Sequence, residues 1–247
     1  MAKPPRTNAE WQYWGSHDPY FGVATVRGRK RGTANAWTIE SLRASGAAYF
    51  DDVRARWAKY GMGSEHCAEI GCGSGRVTTQ LIRHFARVTA VDVSSDQLER
   101  AKELLGADAP RVKLALVTEP QIPVENGACD GVFCCEVFQH LDADDVVRAY
   151  LREAYRVLRP GGTFCLHVPI RGVHPRTFKT SAFRNTVLRL ARLVGWRRMM
   201  VYRQYDARQL IEWLREAGFR QPELLVTYSE GHRGVEALLF GRHPLPS

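Results

Sequence analysis

Residues 64–169 alternate short β-branched or apolar runs with segments of helical length, and no other feature constrains the fold of this chain as much. Strands separated by roughly 10–15 helical residues form βαβ units, which lie parallel in one sheet with helices on its faces. The pattern predicts strands at residues 66–70, 88–92, 112–117, 131–136 and 163–168, and helices at 76–85, 95–105 and 143–158. In the last of these helices Val146, Val147, Tyr150, Leu151, Ala154 and Val157 recur at i, i+3, i+4 spacing, the stripe of a helix buried on one side. Pro160-Gly161-Gly162 then stops it with a turn. A helix at 206–217 and strands at 223–228 and 235–241 complete an α/β body. It is interrupted after the fifth strand by an inserted helical segment over residues 170–205.

With 247 residues, 45% apolar and 25% charged, the chain suits one well-buried domain with additions. Residues 1–50 read as a helical arm or lid that precedes the main domain, residues 51–247. Trp11, Tyr13, Trp14, Tyr20 and Phe21 of the arm can cover a ligand, seam the arm to the body, or do both. No run approaches the roughly 20 apolar residues that span a bilayer, and residues 1–8 lack the apolar stretch of a secretory signal. A cytoplasmic location is therefore expected. Cys67, Cys72, Cys129, Cys134, Cys135 and Cys165 fall on or beside the strands without CxxC spacing, as reduced core residues do.

The stretch Cys67-Ala68-Glu69-Ile70-Gly71-Cys72-Gly73-Ser74-Gly75-Arg76 runs a strand into a glycine loop that opens a helix. Glycines let the backbone turn tightly and approach a ligand with no Cβ in the way. The spacing is G-x-G-x-G, with Arg76 where the third glycine of a dinucleotide fingerprint would stand. Glu69 beside the loop would repel a pyrophosphate, yet suits the ammonium of a bound amino acid. Asp92, at the end of the second strand, can accept both ribose hydroxyls of an adenosine-containing ligand. Loop and acid together point to such a ligand rather than to NAD.

These residues resemble the class I S-adenosylmethionine-dependent methyltransferases, with similarity over residues 64–241. The family's first motif corresponds to Glu69 through Gly75, its ribose acid to Asp92, and its fourth-strand motif to Cys129-Asp130-Gly131-Val132-Phe133. Its turn before the fifth strand corresponds to Arg156-Val157-Leu158-Arg159-Pro160-Gly161-Gly162. The resemblance implies a Rossmann-like, doubly wound, seven-stranded sheet with an antiparallel last strand. S-adenosylmethionine would lie across the strand ends, against Glu69, Gly71, Cys72, Gly73, Gly75, Asp92, Val93 and Cys135. Where many relatives carry an acid after the third strand for the adenine amino group, this chain has Thr118 followed by Glu119. Adenine is then expected to meet the Thr118 hydroxyl and the Glu119 backbone.

Methyl transfer from a sulfonium is an in-line displacement, so the protein has mainly to position the acceptor, exclude water and remove a proton. The candidates follow the fourth strand in Glu136-Val137-Phe138-Gln139-His140, with His140 as general base beside Glu136. This run looks most like the O-methyltransferases of ubiquinone biosynthesis, whose Glu-x-x-Glu-His is associated with a divalent metal. Gln139 replaces the second glutamate, which weakens a metal site without removing it, so a divalent metal stays a minor alternative and no metal ligands are assigned. His167 and His174 are further histidines near the strand ends.

Arg171, Arg176, Lys179, Arg184, Arg189, Arg192, Arg197, Arg198 and Arg203 lie in the insertion, where residues 170–204 contain no Asp or Glu. The protein's whole formal charge is +9, which favours an anionic partner. Phe183, Val187, Leu190, Ala191 and Val194 share one helical face within this segment. It reads as a solvated cover, as an arginine-lined site for an anionic small-molecule acceptor, or as a helix making peripheral contact with a membrane to reach a quinone or other lipid. The lack of an RNA-binding module or an Asn-Pro-Pro-Tyr-type motif argues against nucleic acid. An inactive cofactor-binding scaffold is the non-enzyme alternative.

Overall fold

The computed structural model describes residues 7–24, 29, 31–171, 202–228 and 235–245. Its sheet is built from β1 (His66–Ile70), β2 (Arg87–Asp92), β3 (Val112–Leu116), β4 (Cys129–Cys135), β5 (Leu158–Arg171), β7 (Arg220–Tyr228) and β8 (Val235–Arg242). A two-residue strand, β6 (Tyr205–Asp206), pairs with the end of β5. The order is β3-β2-β1-β4-β5-β8-β7, with β8 antiparallel to both neighbours. This is the expected doubly wound sheet of seven main strands, the last in the chain running against its neighbours.

Seven helices are described: α1 (Asn8–His17), α2 (Pro19–Val23), α3 (Ile39–Trp57), α4 (Thr78–His84), α5 (Ser95–Leu105), α6 (Asp144–Val157) and α7 (Ala207–Ala217). Strand alternation divides the core in two, because successive side chains leave opposite faces of the sheet. Ala68, Val132, Cys134, Phe164 and Leu166 pack against α6 and α7 through Leu151, Ala154, Leu210 and Leu214. Cys67, Phe133, Cys165 and Leu238 pack on the other face against Phe50, Val53 and Trp57 of α3 and Leu81 of α4. Trp57 is fully buried, and its Nε1 donates to Thr163 Oγ1 at 2.8 Å. Helix α3 runs through residue 50 without a break, so the same helix links the arm region to the body.

Caps explain several helix starts. Ser94 Oγ accepts from Gln97 N at the start of α5, and Asp206 accepts from Arg208 N and Gln209 N at the start of α7. One local expectation is corrected. Pro160-Gly161-Gly162 is no separate turn but lies inside β5, which begins at Leu158, and the register against β4 shifts between Cys129 and Gly131. Two reciprocal backbone bonds to the chain end, Gly161 N to His243 O and His243 N to Gly162 O, draw this segment into the sheet. Of the insertion, residues 172–201 lie outside the described residues. So do His174, the basic side chains from Arg176 to Arg198, and the apolar stripe from Phe183 to Val194.

Candidate active site

A cavity of about 390 Å³ opens at the carboxyl ends of β1, β2 and β4. The glycine loop forms one wall. Gly71 and Gly73 have φ of 70° and 52°, and a Cβ at either would come within 2.3 Å of Val137 Cγ2 or 2.2 Å of Val23 Cγ1. Glycine is thus required there by both backbone conformation and space. Gly75 (φ 81°) has a different reason: a Cβ there would fall 3.1 Å from Ala101 Cα and Cβ, so its absence lets the loop before α4 pack on α5, and it does not line the cavity.

Asp92 closes β2 with its carboxylate fixed on backbone, Oδ2 accepting from Gly73 N at 2.8 Å and Oδ1 from Ser94 N at 3.0 Å. Burial nevertheless raises its pKa. Glu69, at the end of β1, is buried and accepts from Thr78 Oγ1 at 2.6 Å. Burial pushes its carboxyl up to about 7, against the hydrogen bond from Thr78 and the attraction of Arg76. The cavity is therefore lined by two acids at its strand ends, one of them poised near neutrality.

Of the residues singled out from sequence, Glu69, Gly71, Cys72, Gly73, Asp92, Val93, Cys135, Glu136 and His140 line this one cavity. Gly75, Thr118 and Glu119 do not. Thr118 and Glu119 are exposed, and the Thr118 carbonyl accepts from Asn8 Nδ2 at 2.9 Å. Of the five arm aromatics singled out from sequence, Trp11 lines the cavity and Tyr13, Trp14, Tyr20 and Phe21 do not, while Thr7, Asn8, Gly22 and Val23 complete a wall that sequence reasoning missed. The arm is held by polar contacts at the ends of β2 and β3. Gln12 Nε2 donates to Val93 O at 3.3 Å, while Ser74 Oγ and Gln97 Nε2 both donate to Pro19 O. Gly15 of α1 lets the helix approach α5 closely, since a Cβ there would fall 2.2 Å from Ser94 Oγ.

The segment after β4 supplies the opposite wall. The His140 ring meets Trp11 edge-on at 4.7 Å and Tyr202 at 6.3 Å. Gln139 lines the cavity, is buried, and its Oε1 has no hydrogen-bond partner among the described residues. Arg203 braces this wall from behind. Its backbone amide donates to Gln139 O at 2.8 Å, its Nη1 donates to Leu141 O at 3.2 Å, and its Nη2 bonds Asp144. One of the nine basic residues of the insertion is thus already committed to the protein itself.

Deeper, at the ends of β5 and β8, His167 and Glu236 are buried together, with His167 Nε2 3.2 Å from Glu236 Oε2. His167 Nδ1 lies 2.9 Å from Tyr49 Oη and 3.8 Å from Cys135 Sγ. Burial opposes charge on this imidazole, but hydrogen bonding to Cys135 and Glu236 and the nearby Glu136 carboxylate outweigh it, and the pKa is pushed up to about 10. The remaining cysteines behave as core thiols: burial raises Cys67, Cys72, Cys134 and Cys165, and carries Cys129 to about 12.

Residues 68–166, from β1 into β5, match the family model described as a methyltransferase domain. The fold and this match are those of class I S-adenosylmethionine-dependent methyltransferase domains, which supports S-adenosylmethionine as the ligand of the cavity. Among curated proteins, the chain is 33% identical over 101 residues to the O-methyltransferase cnsE of Penicillium expansum, covering 39% of this chain and 35% of that one. It is 31% identical over 154 residues to the malonyl-[acyl-carrier protein] O-methyltransferase of Hahella chejuensis, covering 58% and 53%. The chain thus spans about a third to a half of the length of these relatives. Among solved structures, the cyclase SpnF superposes with a TM-score of 0.65 at 17% identity, over 100% of this chain and 99% of that one. At that identity the likeness carries the fold and not the reaction.

Proposed function

We propose that this protein transfers the methyl group of S-adenosylmethionine to an oxygen of a small-molecule acceptor that carries negative charge. The observation that carries the reading is the placement of Glu69 and Asp92 across the glycine loop on the same cavity as His140 and Glu136. Asp92, held by two backbone amides, keeps lone pairs for ribose hydroxyls, and Glu69 offers an anion to the cofactor's ammonium. The methyl group then faces the segment after β4. The acceptor oxygen attacks the methyl carbon, the carbon–sulfur bond breaks, and S-adenosylhomocysteine leaves. His140 takes the acceptor's proton, and the arm from Thr7 to Val23 shields the reacting atoms from water.

Oxygen is favoured because the relatives from Penicillium expansum and Hahella chejuensis are named O-methyltransferases. Negative charge on the acceptor is favoured by the nine basic residues of the insertion, of which Arg203 is spent on bracing Gln139 and Leu141. The basic segment with an apolar stripe also supports a second reading, a quinone or other lipid acceptor met at a membrane surface. Among the described residues no helix is long and apolar enough to cross a membrane.

The test is a panel of phenols, carboxylates and phosphorylated metabolites incubated with S-adenosylmethionine, read by mass spectrometry for S-adenosylhomocysteine and for a product heavier by one methylene. Formation of a methylated carboxylate or phenol supports the reading. Tight binding of S-adenosylhomocysteine without turnover of any acceptor would identify a cofactor-binding scaffold instead. Product formed only in the presence of liposomes would favour the lipid acceptor.

A further inference from the structure

Glu136 follows the end of β4, His167 lies within the last third of β5 and Glu236 near the start of β8, and each places one ligand atom within 4.8 Å of the other two. We propose that these three residues hold one divalent transition-metal cation where the ends of β4, β5 and β8 meet the cavity. The set differs from the Glu136-Val137-Phe138-Gln139-His140 run: Gln139 faces the cavity and His140 packs on Trp11, whereas His167 and Glu236 lie on neighbouring antiparallel strands.

Four observations carry the assignment. The donors are two carboxylates and an imidazole, a mixture that suits Mn²⁺, Fe²⁺, Co²⁺ or Zn²⁺ better than Mg²⁺, which prefers oxygen alone. The 3.2 Å between His167 Nε2 and Glu236 Oε2 is the separation of two adjacent ligands on one cation with bonds of about 2.1 Å. His167 presents its second nitrogen to Tyr49 Oη at 2.9 Å, the outer-shell contact that fixes the ring of a metal-bound histidine. Finally, a dication with a neutral imidazole balances the two carboxylates, which matters where His167 and Glu236 are 6% and 5% exposed.

The site has an open side. Glu136 and the adjacent Cys135 line the cavity, so three protein ligands would leave coordination positions directed to where an acceptor would sit. In that respect the inference rests on the proposed reaction: the cation would anchor an anionic oxygen of the acceptor, the kind of group the basic insertion also favours. Glu136 holds its place with a left-handed backbone, φ 53°, and its amide donates to His167 O at 3.0 Å, which ties the β4 end to the β5 ligand. Such strain in a non-glycine residue is most often kept at functional sites.

The experiment uses the full chain, stripped with a chelator and titrated calorimetrically with Mn²⁺ and Zn²⁺, with bound metal counted by mass spectrometry after dialysis. S-adenosylhomocysteine is titrated in parallel. The expected result is about one equivalent of metal, lost in His167→Ala and Glu236→Gln and weakened about 10- to 100-fold in Tyr49→Phe. If the two buried substitutions prevent folding, Glu136→Gln, on the cavity wall, provides the ligand test. Absence of stoichiometric uptake by the wild-type chain overturns the proposal and leaves His167 and Glu236 as a buried ion pair; unchanged uptake in the foldable variants overturns it equally. Because binding of S-adenosylhomocysteine is read separately, its loss would count against the methyltransferase reading and not against the metal site.

Discussion

Lowering the pH from about 7.4 to about 6 should weaken the binding of S-adenosylhomocysteine about eightfold, and the structure locates the cause in Glu69. Its carboxyl is buried and titrates near 7, because desolvation outweighs the Thr78 hydrogen bond and the attraction of Arg76. The ligand's ammonium favours the ionised form, so the unliganded protein must lose a proton to bind. The favourable pairing is therefore present above pH 7 and lost as pH falls through that value. The ligand's amine stands beside its own carboxylate and stays charged across this range, so Glu69 alone sets the acidic limb. With the carboxyl titrating at about 7, its ionised fraction falls about eightfold between about pH 7.4 and pH 6 and roughly 23-fold by pH 5.5, so binding is tightest on the alkaline side of this range. Glu69→Gln should remove the acidic limb and weaken binding on the alkaline side by about 10- to 100-fold, the range for a hydrogen bond to a charged group. Isothermal titration calorimetry across this range is the assay. A flat profile in the wild-type protein, or an acidic limb that persists in the Gln variant, would show that Glu69 does not meet the ammonium.

The same raised pKa predicts that Glu69→Gln stabilises the unliganded protein above pH 7 by up to about 3 kcal/mol, a gain that shrinks toward pH 4.5 and is read as a shift in the thermal midpoint. Asp92→Ala should weaken binding of S-adenosylhomocysteine by about 10- to 100-fold while the fold persists by circular dichroism; an unchanged dissociation constant would remove Asp92 from the ribose site. His140→Ala should lower kcat by about a hundredfold with any acceptor found in the panel and leave cofactor affinity nearly intact, whereas full activity would return His140 to packing on Trp11. Asp130 accepts from the amides of Ser64, Glu65 and His66, so Asp130→Ala should destabilise the fold by about 3 kcal/mol or more in denaturant titration.

Local chemistry along the chain was enough to place most elements. β1 and α5 fall at the residues their patterns indicate, since a short run that opens into a glycine loop and an amphipathic stripe with a serine cap are properties of neighbours in sequence. The glycine loop and Asp92 were legible for the same reason: the motif is short, and its parts meet as soon as β1 and β2 pair side by side. Pro160-Gly161-Gly162 reads in the sequence as a turn that stops the helix; the helix does end at Val157, but the segment belongs to β5 because its decisive bonds go to His243, distant in sequence. Tertiary structure alone turned the aromatic arm into a named wall of Thr7, Asn8 and Trp11, and gave Gly75 a packing role. It also alone brought Glu136, His167 and Glu236 together. No spacing rule links those three residues. They meet because β8 runs antiparallel beside β5 while β4 runs parallel on its other side, a consequence of how the whole sheet closes its core rather than of any local preference.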